Sequence, residues 1–151
     1  MARISTAFLI AVGAFALVLG VEMVASAEGP IRLDDVKGGC GGDGEPECPM
    51  EGWMEENVGK PMKAKDFKAV ALALHKVEFL APDPKWDEGP TGWARISRDG
   101  AVAAEKGDAD GVKASCKGCH TAWRDKYKAT FKKHALPKFP ADAEKGRKDI
   151  K

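Results

Sequence analysis

The sequence has almost no net charge and lacks the residue groupings that most often carry out catalysis. Its 24 Lys and Arg residues nearly balance its 23 Asp and Glu residues, which gives a formal charge of +1. Such a balance produces no strong field of the kind that attracts nucleic acid or a membrane surface. No acid/base pair, nucleophilic triad or phosphate-binding loop is recognisable. We therefore expect a protein that is not an enzyme and has no nucleic-acid partner.

Signals for β-strands are also scarce. No stretch shows sustained alternation of apolar and polar residues or enrichment in Val, Ile and Thr. Four helical patterns, separated by Gly and Pro, follow one another instead, and they predict an all-α protein. The first runs from Pro49 to about Val58, where Gly59 and Pro61 break or kink it, so that it is short or resumes near Met62. The second covers about 65–80 and the third about 91–106. The fourth begins near Asp108 or Asp110 and ends near His134.

The first 27 residues resemble an export signal. Arg3 precedes an apolar stretch over residues 8–21, and the small residues Ala25-Ser26-Ala27 follow it. The apolar stretch is about 14 residues long, whereas a membrane-spanning helix needs about 20. An uncleaved anchor is the alternative, and Glu22 argues against it. We expect cleavage after Ala27, a periplasmic location and no stable membrane insertion afterwards.

Composition divides the remaining 124 residues into three parts. A Gly/Pro-rich segment, 28–48, precedes a helical domain, 49–135, and a tail, 136–151, follows it. This length suits one domain with its own core. Cys40 and Cys48 lie in the Gly/Pro-rich segment. Because the chain is expected to be exported and the intervening glycines permit a tight turn, we predict a disulfide between them.

The other two cysteines form the motif Cys116-Lys117-Gly118-Cys119-His120 on the fourth predicted helix. Covalent haem attachment requires two thiols that add to the two vinyl groups of one porphyrin, and an imidazole that reaches the iron. At helical spacing, Cys116, Cys119 and His120 lie on one face. The motif therefore predicts one covalent haem c, with His120 as the proximal iron ligand.

Two other readings of this motif compete with haem. Cys116 and Cys119 could form a disulfide or a thioredoxin-like redox pair, but that pair normally follows a strand in an α/β unit. They could also join Cys40 and Cys48 in a zinc site. The first pair is separated by seven residues rather than the usual two to four, and the export signal favours haem. We favour haem, followed by the disulfide or redox pair, with zinc last.

The motif and the residues after it resemble the cytochrome c prime family. The sequence continues Thr121-Ala122-Trp123-Arg124, and that family typically has an aromatic residue three positions after the histidine and an arginine four after. The resemblance covers about residues 49–135. It implies an antiparallel four-helix bundle with the haem near the end of the last helix, and it leaves a homodimer open. The first helix departs from the family pattern because it is short, begins at a cysteine and contains Gly59 and Pro61.

The resemblance also bears on the second axial ligand of the iron. Some members of the family leave the iron five-coordinate behind an apolar residue and bind NO or CO, whereas others place a first-helix methionine on the iron and carry electrons. Alignment puts Met54 at that position, although Met50 and Met54 could both simply fill the core. His75 is a competing ligand, or a hydrogen-bonded or solvated histidine. His134 lies 14 residues after His120, about 21 Å along a helix and too far to reach the same iron.

Arg124 follows His120 by one helical turn and is a candidate for contact with the haem side, for example with a propionate. The alternative is a solvated, basic helix end, where cations suit the helix dipole. We expect a periplasmic carrier of single electrons with an unidentified redox partner protein; the alternative is a five-coordinate haem protein that binds NO or CO. Weak activity on NO or peroxide stays compatible with either, although no distal acid/base pair is evident.

We predict that the haem survives denaturation, because thioether bonds to Cys116 and Cys119 are covalent. Denaturing electrophoresis followed by haem-peroxidase staining should show a band that persists after boiling. The mature protein should also carry the added mass of one haem. A mature mass without haem would contradict the haem assignment itself.

Overall fold

The structure is a computed structural model, and it describes residues 38–150. The predicted export signal, residues 1–27, lies outside the described residues, as do residues 28–37 and residue 151. Cleavage after Ala27 therefore stays a prediction. No helix within residues 38–150 is long and apolar enough to cross a membrane.

The described chain is all-α, as the sequence predicts. It contains four helices, α1 to α4, and residues 38–150 include no β-strand. Helices α2 and α3 are regular, at Phe67–Val77 and Trp93–Glu105. Helix α1 consists of two α-helical segments, Pro49–Met54 and Lys60–Ala64, joined by a π-helical turn at Glu55–Gly59. Helix α4 likewise consists of Ala109–Cys119 and Asp125–Thr130, joined by a π-helical turn at His120–Arg124. Short 3₁₀ turns occur at Pro84–Asp87 and Ala143–Lys145.

Helix α1 continues through Gly59 and Pro61, so of the two predicted alternatives there, a break or a kink, no break occurs. The helix widens into a π-helical turn in which the Lys60 amide donates to the Glu55 carbonyl, five residues back. Pro61 follows at the first turn of the next α-helical segment, where the missing amide of proline is tolerated. The helix ends at Lys65, which adopts a left-handed conformation with φ 57°.

Helix α4 is shorter than predicted, because it ends at Thr130 rather than near His134. Phe131 leaves the helical conformation, and its ring packs edge-on against Trp86 with centroids 5.6 Å apart. The start of α4 agrees with the prediction. Asp108 caps it, because its carboxylate accepts hydrogen bonds from the amides of Asp110 and Gly111.

Helix α3 packs along both α2 and α4, and α2 also contacts the π-helical turn of α1. Gly100 allows the close approach of α3, because a Cβ there would lie 2.5 Å from Ser115 Oγ and 3.1 Å from a methyl carbon of Leu74. The Ser115 hydroxyl donates to the Ile96 carbonyl over 2.7 Å. Burial of the apolar residues between these helices supplies the main stabilisation. The core includes Val58, Val70, Leu74, Val77, Trp93, Ala101, Ala104 and Val112.

The C-terminal tail is held to α2 and α3 by a buried carboxylate, Glu78, which is 0% exposed. Glu78 accepts hydrogen bonds from Arg98 Nε and Nη2, at 2.8 and 2.6 Å, and from the Arg147 amide at 2.7 Å. Burial alone would raise the pKa of Glu78, but these hydrogen bonds outweigh burial, and the pKa lies below its usual value. The tail, which the composition of the sequence separates from the helical domain as residues 136–151, is thus packed on that domain.

Gly146 is predicted to be essential for this attachment of the tail. It has φ 71°, and a Cβ there would lie 2.6 Å from His75 Nδ1 and 2.8 Å from Glu78 Oε1. Gly44 is a matched control, because it has φ 78° and open space around the Cβ position. Gly44→Ala should lower the free energy of unfolding by about 1 kcal/mol, the cost of the left-handed conformation. Gly146→Ala should lower it by a further ~1–3 kcal/mol through overpacking.

Urea unfolding followed by circular dichroism measures both values. Equal losses in the two variants would show that the space around Gly146 can relax.

Candidate functional site

The predicted site residues line one cavity of about 500 Å³. Cys116, Cys119 and His120 contribute from α4, and Met50 and Met54 contribute from α1. The wall is mainly apolar, and the volume lies within the range of about 300–1,000 Å³ usual for small-molecule and cofactor sites. The remaining lining residues are Cys40, Gly41, Cys48, Glu51, Glu55, Val58, Gly59, Val77, Trp93, Trp123, Arg124, Tyr127, Lys128 and Lys132.

Both helices that carry the candidate ligands contain a π-helical turn beside the cavity. In α1 the turn begins at Glu55, directly after Met54, and in α4 it begins at His120 itself. A π turn changes the direction in which the following side chains point, and such turns are frequent at functional sites. Sequence reasoning missed both turns. Gly59 and Pro61 signalled the irregularity in α1, but residues 120–124 contain no comparable signal.

Cys116 and Cys119 are partly buried thiols that are not bonded to each other. Burial raises the pKa of Cys116, and burial together with the neighbouring Cys116 raises the pKa of Cys119 to about 11. Both groups are therefore protonated near neutral pH. A thioredoxin-like pair needs the opposite, a lowered thiol pKa and a nearby strand. Neither is present in the described part of the chain, and the redox-pair reading loses its support.

His120 is the neutral imidazole that the motif requires. Burial lowers its pKa, and the positive charges of Arg124 and Lys128 lower it further. A neutral imidazole keeps one ring nitrogen with a free lone pair, which is the form that binds a metal. Arg124 and Lys128 thus influence His120 through their charge, and both line the cavity.

The predicted disulfide between Cys40 and Cys48 is present, with the two Cα atoms 4.9 Å apart. Both residues are buried, and both line the cavity. Cys48 is the residue that precedes the first turn of α1, and Cys40 Sγ lies 3.7 Å from the Lys132 carbonyl. The disulfide therefore holds the loop that leads into α1 against the residues that follow α4.

The same disulfide removes the support for a zinc site. Oxidised cysteines cannot supply thiolate ligands, so Cys40 and Cys48 are not available. Across the residues placed in the structure, no group of three or more His, Cys, Asp and Glu side chains could hold a metal ion.

His75 does not line the cavity. It is 7% exposed on α2, with Nδ1 2.8 Å from Glu78 Oε1 and Nε2 3.1 Å from Glu105 Oε1. Both ring nitrogens therefore face carboxylates, and His75 belongs to the group of residues that holds the C-terminal tail. The structure fits a hydrogen-bonded histidine. It does not place His75 in the cavity that contains the other candidate iron ligands.

Aromatic side chains close one side of the cavity. Trp93, Trp123 and Tyr127 line it, and burial raises the pKa of Tyr127 to about 12. Trp86 stacks on Trp123 with ring centroids 4.8 Å apart and planes 17° apart. The indole N–H groups of Trp93 and Trp123 donate to the carbonyls of Val77 and Thr91. These hydrogen bonds fix the orientation of the two indole rings in the cavity wall.

The donor set fits a covalently attached haem. Two neutral thiols one helical turn apart, a neutral imidazole and two thioether sulfurs line one largely apolar cavity. Imidazole and thioether are the axial ligands that haem iron accepts in cytochromes c. Comparisons of the chain with protein-family models, with curated proteins and with solved structures found no match. The case for a function therefore rests on the motif and on the geometry of the cavity.

The disulfide is predicted to persist in the purified protein. Alkylation in denaturant without reduction should leave Cys40 and Cys48 unmodified, as judged by mass spectrometry. Protein made without haem supplies the control, because Cys116 and Cys119 should be alkylated whether or not reductant is added. Replacing Cys40 and Cys48 together by Ser should lower the free energy of unfolding by about 2–3 kcal/mol, as expected for a short closed loop. Four alkylated cysteines in the unreduced, haem-free protein would contradict the pairing.

Proposed function

We propose that the protein is an exported c-type cytochrome with one haem, which carries single electrons in the periplasm. The observation that carries the proposal is the C-x-x-C-H motif on the wall of a cavity that a second helix lines with methionines. The sequence of residues 1–27, with its small residues before position 28, supports export and the periplasmic location. The partner would be another redox protein of that compartment.

Cys116 and Cys119 would each form a thioether bond to the haem, and His120 would bind the iron from the same helix. The bound haem would supply an iron that alternates between two oxidation states by gain or loss of one electron. The protein contributes a neutral imidazole, because burial and the neighbouring cations keep His120 unprotonated. It also contributes thiols that stay protonated, and hence poorly nucleophilic towards other reagents, before attachment.

The choice between a carrier and a gas-binding protein depends on Met54. A thioether bound to the iron fills the sixth position and raises the reduction potential. Met54 lies one turn after Met50 and directly before the π-helical turn of α1, and both side chains line the cavity. Both methionines have a soft sulfur that iron accepts, and the alignment of Met54 with the ligand position in the cytochrome c prime family favours Met54 over Met50.

We further propose that the four helices form an antiparallel four-helix bundle. The direct packing of α2 on α3 and of α3 on α4, the latter through the short connection 106–108, supports this arrangement. The contact between α2 and the π-helical turn of α1 brings the first helix to the same group. In such a bundle, α1 and α4 would be neighbours around the haem, and a homodimer would leave the cavity within each protomer.

Substituting Met54 tests the proposed function. The oxidised wild-type protein should have a low-spin spectrum with the weak long-wavelength band of an iron–thioether bond. Met54→Ala should remove this band, lower the reduction potential and allow CO to bind the reduced protein. Met50→Ala is the matched control, because Met50 lines the same cavity one turn earlier, and it should retain the band. Absorption spectroscopy and a redox titration measure these effects.

A high-spin wild-type protein that binds CO readily would instead support the five-coordinate protein that binds NO or CO. A low-spin wild-type protein that lacks this band, and whose spectrum changes in His75→Ala but not in Met54→Ala, would reassign the second ligand to histidine and contradict the alignment of α1.

A further inference from the structure

Charge is strongly segregated around the mouth of the cavity, although the whole chain has a formal charge of only +1. Residues 117–133 contain six basic side chains and one acidic side chain, a net charge of +5. Residues 43–56 contain six acidic side chains and no basic one. Both stretches contribute to the lining of the same cavity, the acidic one through Glu51 and Glu55 and the basic one through three cations.

These three cations, Arg124, Lys128 and Lys132, are called the basic rim here. They recur at spacings of four residues, Arg124 and Lys128 within α4 and Lys132 just after it, and all three are exposed. None of the ion pairs formed among residues 38–150 involves them. Cations suit the C-terminal end of a helix, but the dipole acts only on the last turn. Arg124 lies more than one turn before the end of α4 at Thr130, so the dipole does not account for it.

We propose that the basic rim is the docking surface for an acidic patch on the redox partner of this protein. The inference rests on the proposed function as an electron carrier. Docking at the rim would bring the partner to the cavity that holds the motif, and so shorten the distance that the electron crosses. Trp123 supports this placement, because its partly buried ring lines the cavity while Lys126 Nζ lies above the ring, 4.7 Å from its centroid.

The acidic residues beside the rim favour a protein partner over a membrane or a nucleic acid. Glu55 and Glu56 are ion-paired with Lys63 and Lys60. An extended anionic surface that covered the mouth would still meet Glu51, and the four acidic residues of 43–51 would repel it. A protein can present an acidic patch of limited size to the rim alone. Interactions between such exposed charges fall off over about 8–10 Å at physiological ionic strength, so the local charge acts more strongly than the net charge.

The test uses the reduced, haem-loaded protein and two small oxidants of opposite charge. Ferricyanide is a trianion and tris(phenanthroline)cobalt(III) is a trication; each removes one electron and no proton is transferred. Lys128→Glu with Lys132→Glu should slow oxidation by ferricyanide about tenfold at low ionic strength. The same variant should speed oxidation by the cobalt complex. A change in reduction potential would alter both rates in the same direction, so opposite changes identify a local charge effect.

Lys68→Glu with Lys106→Glu is the matched control, because it makes the same change in net charge at exposed lysines that do not line the cavity. This control should change both rates by less than about twofold. Equal effects of the two double variants would overturn the docking surface, since net charge alone would then explain the rates.

A binding measurement separates this inference from the proposed function. Titration of the isotopically labelled protein with hexaglutamate should shift the amide resonances of residues 124–133, and the shifts should disappear in the rim variant. Shifts spread over the surface, co-sedimentation with anionic lipid vesicles at physiological salt, or self-association through the rim at low salt would each overturn the proposal. Absence of haem would refute the electron carrier, but the peptide titration would still report on the rim.

Discussion

The close approach of α3 to α4 sets the position of the Cys116–His120 motif. Gly100 has no side chain to separate the helices, and the Ser115 hydroxyl, which would clash with a Cβ there, donates to the Ile96 carbonyl. Ser115 immediately precedes Cys116, so this contact orients the first residue of the motif. Trp93 on α3 packs into the same core and lines the cavity. The motif thus sits on a helix whose rotation is fixed by packing, as a preorganised cofactor site requires.

Much of the fold follows from local patterns in the sequence. Apolar residues at helical spacing predicted α2 and α3 to within three residues at each end, and Asp108 marked the start of α4. The Cys40–Cys48 disulfide was also predictable, because the expected export and the short glycine-rich loop both favour it. The two π-helical turns have no recognisable local signal in the sequence, apart from the irregularity that Gly59 and Pro61 indicated in α1.

In the candidate site, too, the residues whose roles depend on sequence spacing were predictable, and those whose partners lie far away in the sequence were not. Spacing alone placed Cys116, Cys119 and His120 on one face, and a family resemblance selected Met54 and Arg124; all five line the cavity. The role of His75 could not be read from its own helix. Its partner Glu78 is close in sequence, but Glu105 and the tail near Gly146 come from distant parts of the chain. A buried polar group is assigned correctly only when all its hydrogen-bonding partners are known.

The position of the disulfide has a consequence for the maturation of the protein. All four cysteines line one cavity. In the proposed exported cytochrome, oxidation and haem attachment would both draw on this set of thiols. Cys40 and Cys48 are separated by only eight positions, and closing so short a loop costs less chain entropy than a bond to Cys116 or Cys119. Early closure of this loop would leave both thiols of the motif reduced until the haem arrives.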